Sequence, residues 1–313
     1  MNMQTTALVM DCPGQLSLRS VQLESSDDSA CVIDIERTSI SAGTERLLWK
    51  GEMPMFPGMG YPLVPGYEAI GRVRSVGADS ALSPGQLVFV PGCSAYSDVR
   101  GLFGAAAKKL IVNEQSVYPL QEQYQQEGLL MALAATACNI VRQGGADRLP
   151  DLIVGHGVLG RLCARLAVAL GARDLTVWET SDRRRDDARG YSVIHPDADD
   201  RGQYRCICDV SGDATLMDTL ISSLSTGGLL VLGGFYSERL SFAFPPAFIK
   251  GLELRVAAEW RPDDMKKIAS MVNAGMLPLD GLITHSAPVS DAVVAYAQAF
   301  DDPDCLKMMI DWR

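Results

Sequence analysis

Gly155, Gly157 and Gly160 are spaced as Gly-x-Gly-x-x-Gly within Gly155-His156-Gly157-Val158-Leu159-Gly160. An apolar strand signal, Leu152-Ile153-Val154, precedes them, and Val158, Leu162, Leu166 and Leu170 follow at helical spacing. In that setting the first glycine makes a tight turn and the second lets a pyrophosphate approach the backbone. The third packs helix against strand. The loop and the helix start, His156 through Leu159, then offer amide N–H groups to phosphate oxygens. Glu179 closes the next strand signal, Leu175–Trp178, roughly 20 residues beyond Gly160, where a carboxylate can accept from both ribose hydroxyls. It would repel a 2′-phosphate, so the expected cofactor is NAD rather than NADP. Arg183, Arg184 and Arg185 follow closely, and an arginine there can hold that phosphate. They are expected chiefly as the solvated first turn of a helix paired with Asp182, Asp186 and Asp187, with Arg184 also reaching the cofactor. His156 is expected to be exposed, with a phosphate contact as the alternative. Gly233 and Gly234 end a further strand signal from Leu229 and complete the expected cofactor site.

The elements that must carry this site are legible around it. Asp151–Gly155, Leu175–Trp178, Tyr204–Val210 and Leu229–Gly233 read as strands; Val158–Leu170 and Asp213–Leu224 read as helices. Such alternation with short connections predicts a doubly wound parallel sheet. The first third reads as β, with strand signals at Cys31–Glu36, Ile70–Val76 and Gln86–Val90 split by Pro65-Gly66 and Ser83-Pro84-Gly85. Pro262, followed by two aspartates, starts a helix well. The expected organisation is therefore α/β: residues 1–130 and 262–313 form a β-rich domain, and residues 131–261 form the dinucleotide-binding domain.

Composition excludes several classes. The 313 residues are 47% hydrophobic and 21% charged, as a globular protein with a core requires. Lys+Arg 28 against Asp+Glu 38 leaves a net charge of −10, unsuited to nucleic acid or an anionic membrane surface. No apolar run reaches the ~18 residues of a membrane span, and the N-terminus lacks the form of a signal peptide. The cysteines at 12, 31, 93, 138, 163, 206, 208 and 305 contain no CxxC, which argues against a disulfide scaffold or zinc ribbon. A cytoplasmic location is expected.

The β-rich start, dinucleotide fold and closing helix–strand segment resemble the medium-chain dehydrogenase/reductase superfamily over almost the whole chain. Ser39-Ile40-Ser41-Ala42-Gly43-Thr44-Glu45 is similar to its catalytic segment, Pro65-Gly66-Tyr67-Glu68-Ala69-Ile70-Gly71 to its Gly-His-Glu segment, and Leu282-Ile283-Thr284-His285 to a common C-terminal stretch. The resemblance implies a GroES-like catalytic domain beside a Rossmann domain. The family's catalytic zinc positions fall on Ala42, Tyr67 and Ala132, and only Cys93 lies where members carry four zinc cysteines, so neither zinc is expected.

The stretch from Gly43 through Glu68 resembles one branch, the bacteriochlorophyllide dehydrogenases of bacteriochlorophyll synthesis. This implies NAD-dependent oxidation of the C3 1-hydroxyethyl group of a chlorophyllide-type tetrapyrrole to acetyl. Without zinc, hydrogen-bonding groups must stabilise the developing alkoxide. Thr44 lies at the family's relay hydroxyl, Tyr67 replaces a histidine ligand, and Glu68 and Glu45 can orient groups or shuttle protons; His285 is a further base candidate. Lys50, Met55, Phe56 and Tyr61 are the expected substrate contacts: thioether and aromatic faces suit a flat macrocycle, and a cation suits its propionate. Arg46, Lys108 and Lys109 are alternatives for the propionate. The family resemblance also implies a homodimer. Rival readings are a zinc-free NADPH-dependent quinone or enone reductase, which Glu179 disfavours, and a dinucleotide-binding protein without catalysis.

Overall fold

Valine, isoleucine and leucine at alternating or continuous buried positions make most of the strands in the first part of the chain. The structure, a computed structural model, describes every residue except Asp28. The chain divides into two units, Met1–Ala132 with Asp280–Arg313, and Leu133–Leu279.

The first unit opens with an antiparallel hairpin, β1 (Asn2–Cys12) and β2 (Gln15–Glu24). Then come β3 (Ala30–Ile40), α1 (Thr44–Lys50), β4 (Ala69–Ser75), β5 (Leu87–Val90), β6 (Lys109–Asn113) and β7 (Tyr118–Pro119). β3 is buried along nearly its whole length, which explains its Cys31-Val32-Ile33 run.

α2 (Met131–Val141) leads into the second unit, where β8 (Leu152–Val154), α3 (Val158–Ala169), β9 (Thr176–Trp178) and β10 (Ser192–Ile194) come first. β11 (Tyr204–Asp209), α4 (Met217–Ser223), β12 (Leu224–Leu232), α5 (Phe244–Lys250), β13 (Glu253–Val256) and α6 (Pro262–Asn273) follow. The sheet is parallel throughout in the order β10-β9-β8-β11-β12-β13. Strand order reverses between β8 and β11, the switch point at which such sheets bind ligands beyond their carboxyl ends.

Two expectations need correction here. Asp182–Arg184 is a single 3-10 turn rather than the start of a helix. Arg185 pairs with Asp182, but Asp186 and Asp187 pair with Arg161 and Arg165 of α3, whose buried guanidiniums draw the carboxylates in. α6 does begin at Pro262, yet it belongs to the second unit: Asp264 pairs with Arg142 at 3.2 Å, and Asn139 Nδ2 donates to the Ala258 carbonyl at 2.8 Å. The chain returns to the first unit at Asp280 rather than 262.

The return consists of β14 (His285–Pro288), α7 (Ala292–Asp301) and β15 (Met308–Asp311). It completes a sheet in the order β14-β15-β3-β4-β5-β7, with β6 also paired to β3. Met308 pairs with Ile40 and Thr38 with Ala69, so one end of three neighbouring strands gathers Lys307, Ser39, Ser41 and Glu68.

Candidate functional site

In the second unit the glycine loop leaves β8 with Gly155 at φ +98°, a left-handed conformation that favours glycine. A Cβ on Gly160 would lie 1.9 Å from the Gly155 carbonyl oxygen, so no side chain fits there. At Gly157 a Cβ would meet nothing within 4 Å, leaving the backbone open to a ligand, and Val158 and Leu159 form the first turn of α3. Glu179 accepts from the His156 amide at 2.9 Å and from the Ser181 amide at 2.8 Å, one on each oxygen. Each oxygen keeps further acceptor capacity. The carboxylate is thus held at the loop with lone pairs left on both oxygens.

His156 is not the exposed residue or phosphate contact expected of it. It is buried, with Nδ1 2.5 Å from the Arg184 carbonyl oxygen and Nε2 3.0 Å from Tyr191 Oη. Burial lowers its pKa and favours the neutral ring. Because a carbonyl can only accept, Nδ1 carries the proton and Nε2 accepts from the tyrosine. Arg161, also buried, donates to the His156 and Arg184 carbonyls and to Asp186. It is therefore the Arg184 carbonyl that meets the loop. Gly233 and Gly234 lie past the end of β12, both donating to the Asp209 carbonyl, at 2.8 and 3.1 Å. Asp209 also accepts from Ser211 and Tyr236, and burial raises its pKa. Sequence reasoning missed Arg161, Asp209 and Tyr236; an acid ending the apolar strand at Asp209 was the one available signal.

In the first unit a polar cluster sits at the shared strand end. Glu68, 1% exposed, accepts from Ser39 Oγ at 2.5 Å and forms an ion pair with Lys307, 2% exposed. Glu45, 0% exposed in α1, accepts from the Ser41 amide at 3.1 Å and from Tyr296 Oη of α7 at 2.8 Å. Burial pushes the Glu45 carboxyl up to about 7, with the Glu68 charge adding to the rise; Tyr296, Ser41 and Lys307 oppose it. Tyr67 Oη donates to Ser41 Oγ at 2.7 Å and also bonds Thr44; its ring packs edge-on to Phe103 at 5.2 Å. Burial, then the Glu68 charge, pushes its phenol far above the ordinary value, so it acts as a neutral hydroxyl. Thr44, Tyr67 and Glu68 are thus brought into one cluster. Lys307 and Tyr296 join it from the far end of the chain, where nothing local marks them, and Ser41 joins it from the same segment as Thr44 and Glu45.

Ala42 and Ala132 have no donor atom, and the Tyr67 hydroxyl is already bonded to Ser41. These residues do not fit a zinc ion. Among the described residues, no group of three His, Cys, Asp or Glu side chains is placed to hold a metal.

The loop after α1 divides its apolar residues. Met53 and Met59 are buried, whereas Met55 is 81% and Phe56 38% exposed. Tyr61 donates its hydroxyl to the Leu48 carbonyl at 2.5 Å and half-buries its ring, so it braces the loop against α1. Lys50 ends α1 with its side chain exposed. Lys108 is bonded to the Trp312 carbonyl, while His285 turns to Thr284 and Asp302.

Residues 27–122 match the alcohol dehydrogenase GroES-like domain. The 2-desacetyl-2-hydroxyethyl bacteriochlorophyllide A dehydrogenase of Cereibacter sphaeroides is 50% identical, over 99% of both chains. The protein of the same name from Rhodobacter capsulatus is 48% identical, again over 99% of each. Among solved structures, L-idonate 5-dehydrogenase from Escherichia coli superposes with a TM-score of 0.86 at 18% identity, covering 100% of this chain and 99% of the other. With near-full-length identity on this scale, the chain belongs to the medium-chain dehydrogenase/reductase family, on the branch that holds these two relatives.

Proposed function

We propose that this protein oxidises the C3 1-hydroxyethyl group of a chlorophyllide-type tetrapyrrole to an acetyl group, with NAD as cofactor and without catalytic zinc. The observation that carries this reading is the 50% identity, across 99% of both chains, to a relative named for that class of substrate. Gly155, Gly157, Val158, Leu159 and Gly160 would hold the pyrophosphate, and Glu179 the ribose. Bound NAD supplies the hydride acceptor. Gly233 and Gly234, at the carboxyl end of the same sheet, and Arg184 remain candidate cofactor neighbours.

Thr44 and Tyr67 are the groups assigned to the substrate hydroxyl. Both are partly buried, and their hydroxyls are hydrogen-bonded. Such donors stabilise negative charge developing on oxygen, the task a zinc would otherwise perform. Glu68 is assigned a supporting role, since its ion pair with Lys307 occupies it. Met55 and Phe56 offer the macrocycle an apolar face, Lys50 offers its propionate a cation, and Tyr61 supports their loop.

A homodimer is part of the same reading. β13 is an edge strand with Leu254 and Val256 exposed, beside exposed Phe248 and Ile249 of α5, a surface suited to pairing with a second copy. The eight cysteines, all free, suit the reducing cytoplasm. Among the described residues no helix is long and apolar enough to cross a membrane.

The test is incubation of purified protein with NAD and a hydroxyethyl chlorophyllide, following the pigment's absorption band. Conversion to the acetyl pigment is expected. Thr44→Val and Tyr67→Phe should each lower single-turnover oxidation on the order of 10²–10⁴-fold while leaving NAD affinity near normal. Failure of the unmodified protein to turn over the pigment would overturn the proposed activity.

A further inference from the structure

Two carboxylates and one ammonium lie buried in the polar cluster, and the pairing among them is unequal. Lys307 is in ion-pair contact with Glu68, to which Ser39 also donates. Among the described residues no cation lies within ion-pair distance of Glu45, whose two oxygens receive only the Ser41 amide and the Tyr296 hydroxyl. With Glu68 and Lys307 charged, the cluster is neutral when Glu45 holds a proton and carries one negative charge when it does not. Taking a carboxylate out of water without a cation is costly. Glu45 is therefore the group in this cluster with a reason to take up a proton.

Ser41 lies between this carboxyl and the hydroxyl of the partly buried Tyr67. Its Oγ accepts from Tyr67 at 2.7 Å, while its amide, separated from that oxygen only by Cα and Cβ, donates to Glu45 at 3.1 Å. We propose that Glu45 receives the proton removed from the substrate alcohol, carried to it by the hydroxyls of Tyr67 and Ser41, with Thr44 holding Tyr67 in place. The inference rests on the alcohol oxidation proposed above.

The alcohol C–H bond breaks and its electron pair leaves as hydride for the nicotinamide dinucleotide, the oxidant. The O–H proton bonds to the Tyr67 oxygen as the Tyr67 proton passes to Ser41 Oγ, and the Ser41 hydroxyl, which in this structure bonds Tyr67 and not Glu45, turns about Cα–Cβ to pass its own proton to a Glu45 carboxylate oxygen. The carbon–oxygen double bond forms, and Glu45 ends as the neutral acid. A concerted shift suits Tyr67, whose free phenolate is strongly disfavoured. Glu45 acts through these hydroxyls and does not touch the substrate. The groups facing it are Tyr296 from α7, Lys307 before β15, Glu68 before β4, and Ser41, and burial with this company brings it to about 7.

The experiment has two readouts on the full chain. First, ¹³C-glutamate spectra of the protein without substrate, with the Glu45 resonance assigned by its loss in Glu45→Gln, should show a carboxyl titrating near 7; Tyr296→Phe, which removes a bond to the charged form, should move that titration upward. Second, the single-turnover oxidation rate should rise with pH through the same region, since the acceptor must be unprotonated. Glu45→Gln should lose that limb and slow oxidation on the order of 10²–10⁴-fold. Tyr296→Phe should shift the limb upward. If the unmodified protein oxidises the pigment but folded Glu45→Gln keeps its rate and pH limb, the proton assignment falls and the alcohol oxidation stands. If the unmodified protein fails to oxidise the pigment, the alcohol oxidation falls and this inference falls with it. A Glu45 resonance titrating near the ordinary glutamate value would also overturn the assignment.

Discussion

Replacing Lys307 by methionine keeps most of the side-chain volume and removes the cation from a fully buried pair. Glu68 would then hold its charge at 1% exposure with Ser39 as its remaining side-chain donor, its other oxygen being without a hydrogen bond even in the intact protein. Removing one partner of a buried pair costs about 3–5 kcal/mol, because the charge left behind is uncompensated. At ~1.4 kcal/mol per decade, that opens the surrounding structure on the order of 10²–10⁴ times more often. The place to read it is β3, which is bonded to both β15 and β4 and so spans the pair. Amide hydrogen exchange of β3 peptides measures this local stability without assuming that both units unfold together. In the double variant Glu68→Gln/Lys307→Met neither charge remains and the introduced amide oxygen can still accept from Ser39, so exchange should return to within about tenfold of normal. If Lys307→Met alone leaves β3 exchange unchanged at pH 8, Glu68 is not held there as a charged partner, and the charge count behind the Glu45 proposal is wrong.

Three further outcomes follow from the same geometry. Glu179→Ser should narrow the preference for NAD over NADP in steady-state kinetics; equal use of both by the unmodified protein would contradict the role given to that carboxylate. Gly160→Ala places a Cβ against the Gly155 carbonyl, 1.9 Å away before relaxation, and Gly157→Ala places one in the open space where the pyrophosphate would approach the backbone, so both should weaken NAD binding by calorimetry; near-normal affinity in both would mean that the loop is not the pyrophosphate cradle. Purified protein should carry well under one zinc per chain and keep its activity in chelator, and one zinc lost together with activity would reverse the metal-free mechanism.

The parts of this protein legible in the sequence are those decided by neighbours along the chain. The glycine loop depends on backbone conformation at Gly155 and close approach at Gly160, both set within a few residues, so strand, loop and helix stand where the pattern predicts. Pro262 likewise starts its helix because proline suits a first turn wherever it lies. The absence of donor atoms at Ala42 and Ala132 is a property of the side chains that no folding can alter. What only the tertiary structure decided is the pairing of polar groups inside the units. Glu68 and Glu45 look alike in sequence, but one meets Lys307 and the other meets Tyr296, 251 residues away. His156, read as exposed, is buried against the Arg184 carbonyl and Tyr191, and the chain returns to the first unit at Asp280, after a helix that buries Met265, Ile268 and Met271 and pairs its Asp264 with Arg142. Each of these outcomes depends on desolvation and on partners brought together by distant strands, and neither has a signature in local spacing.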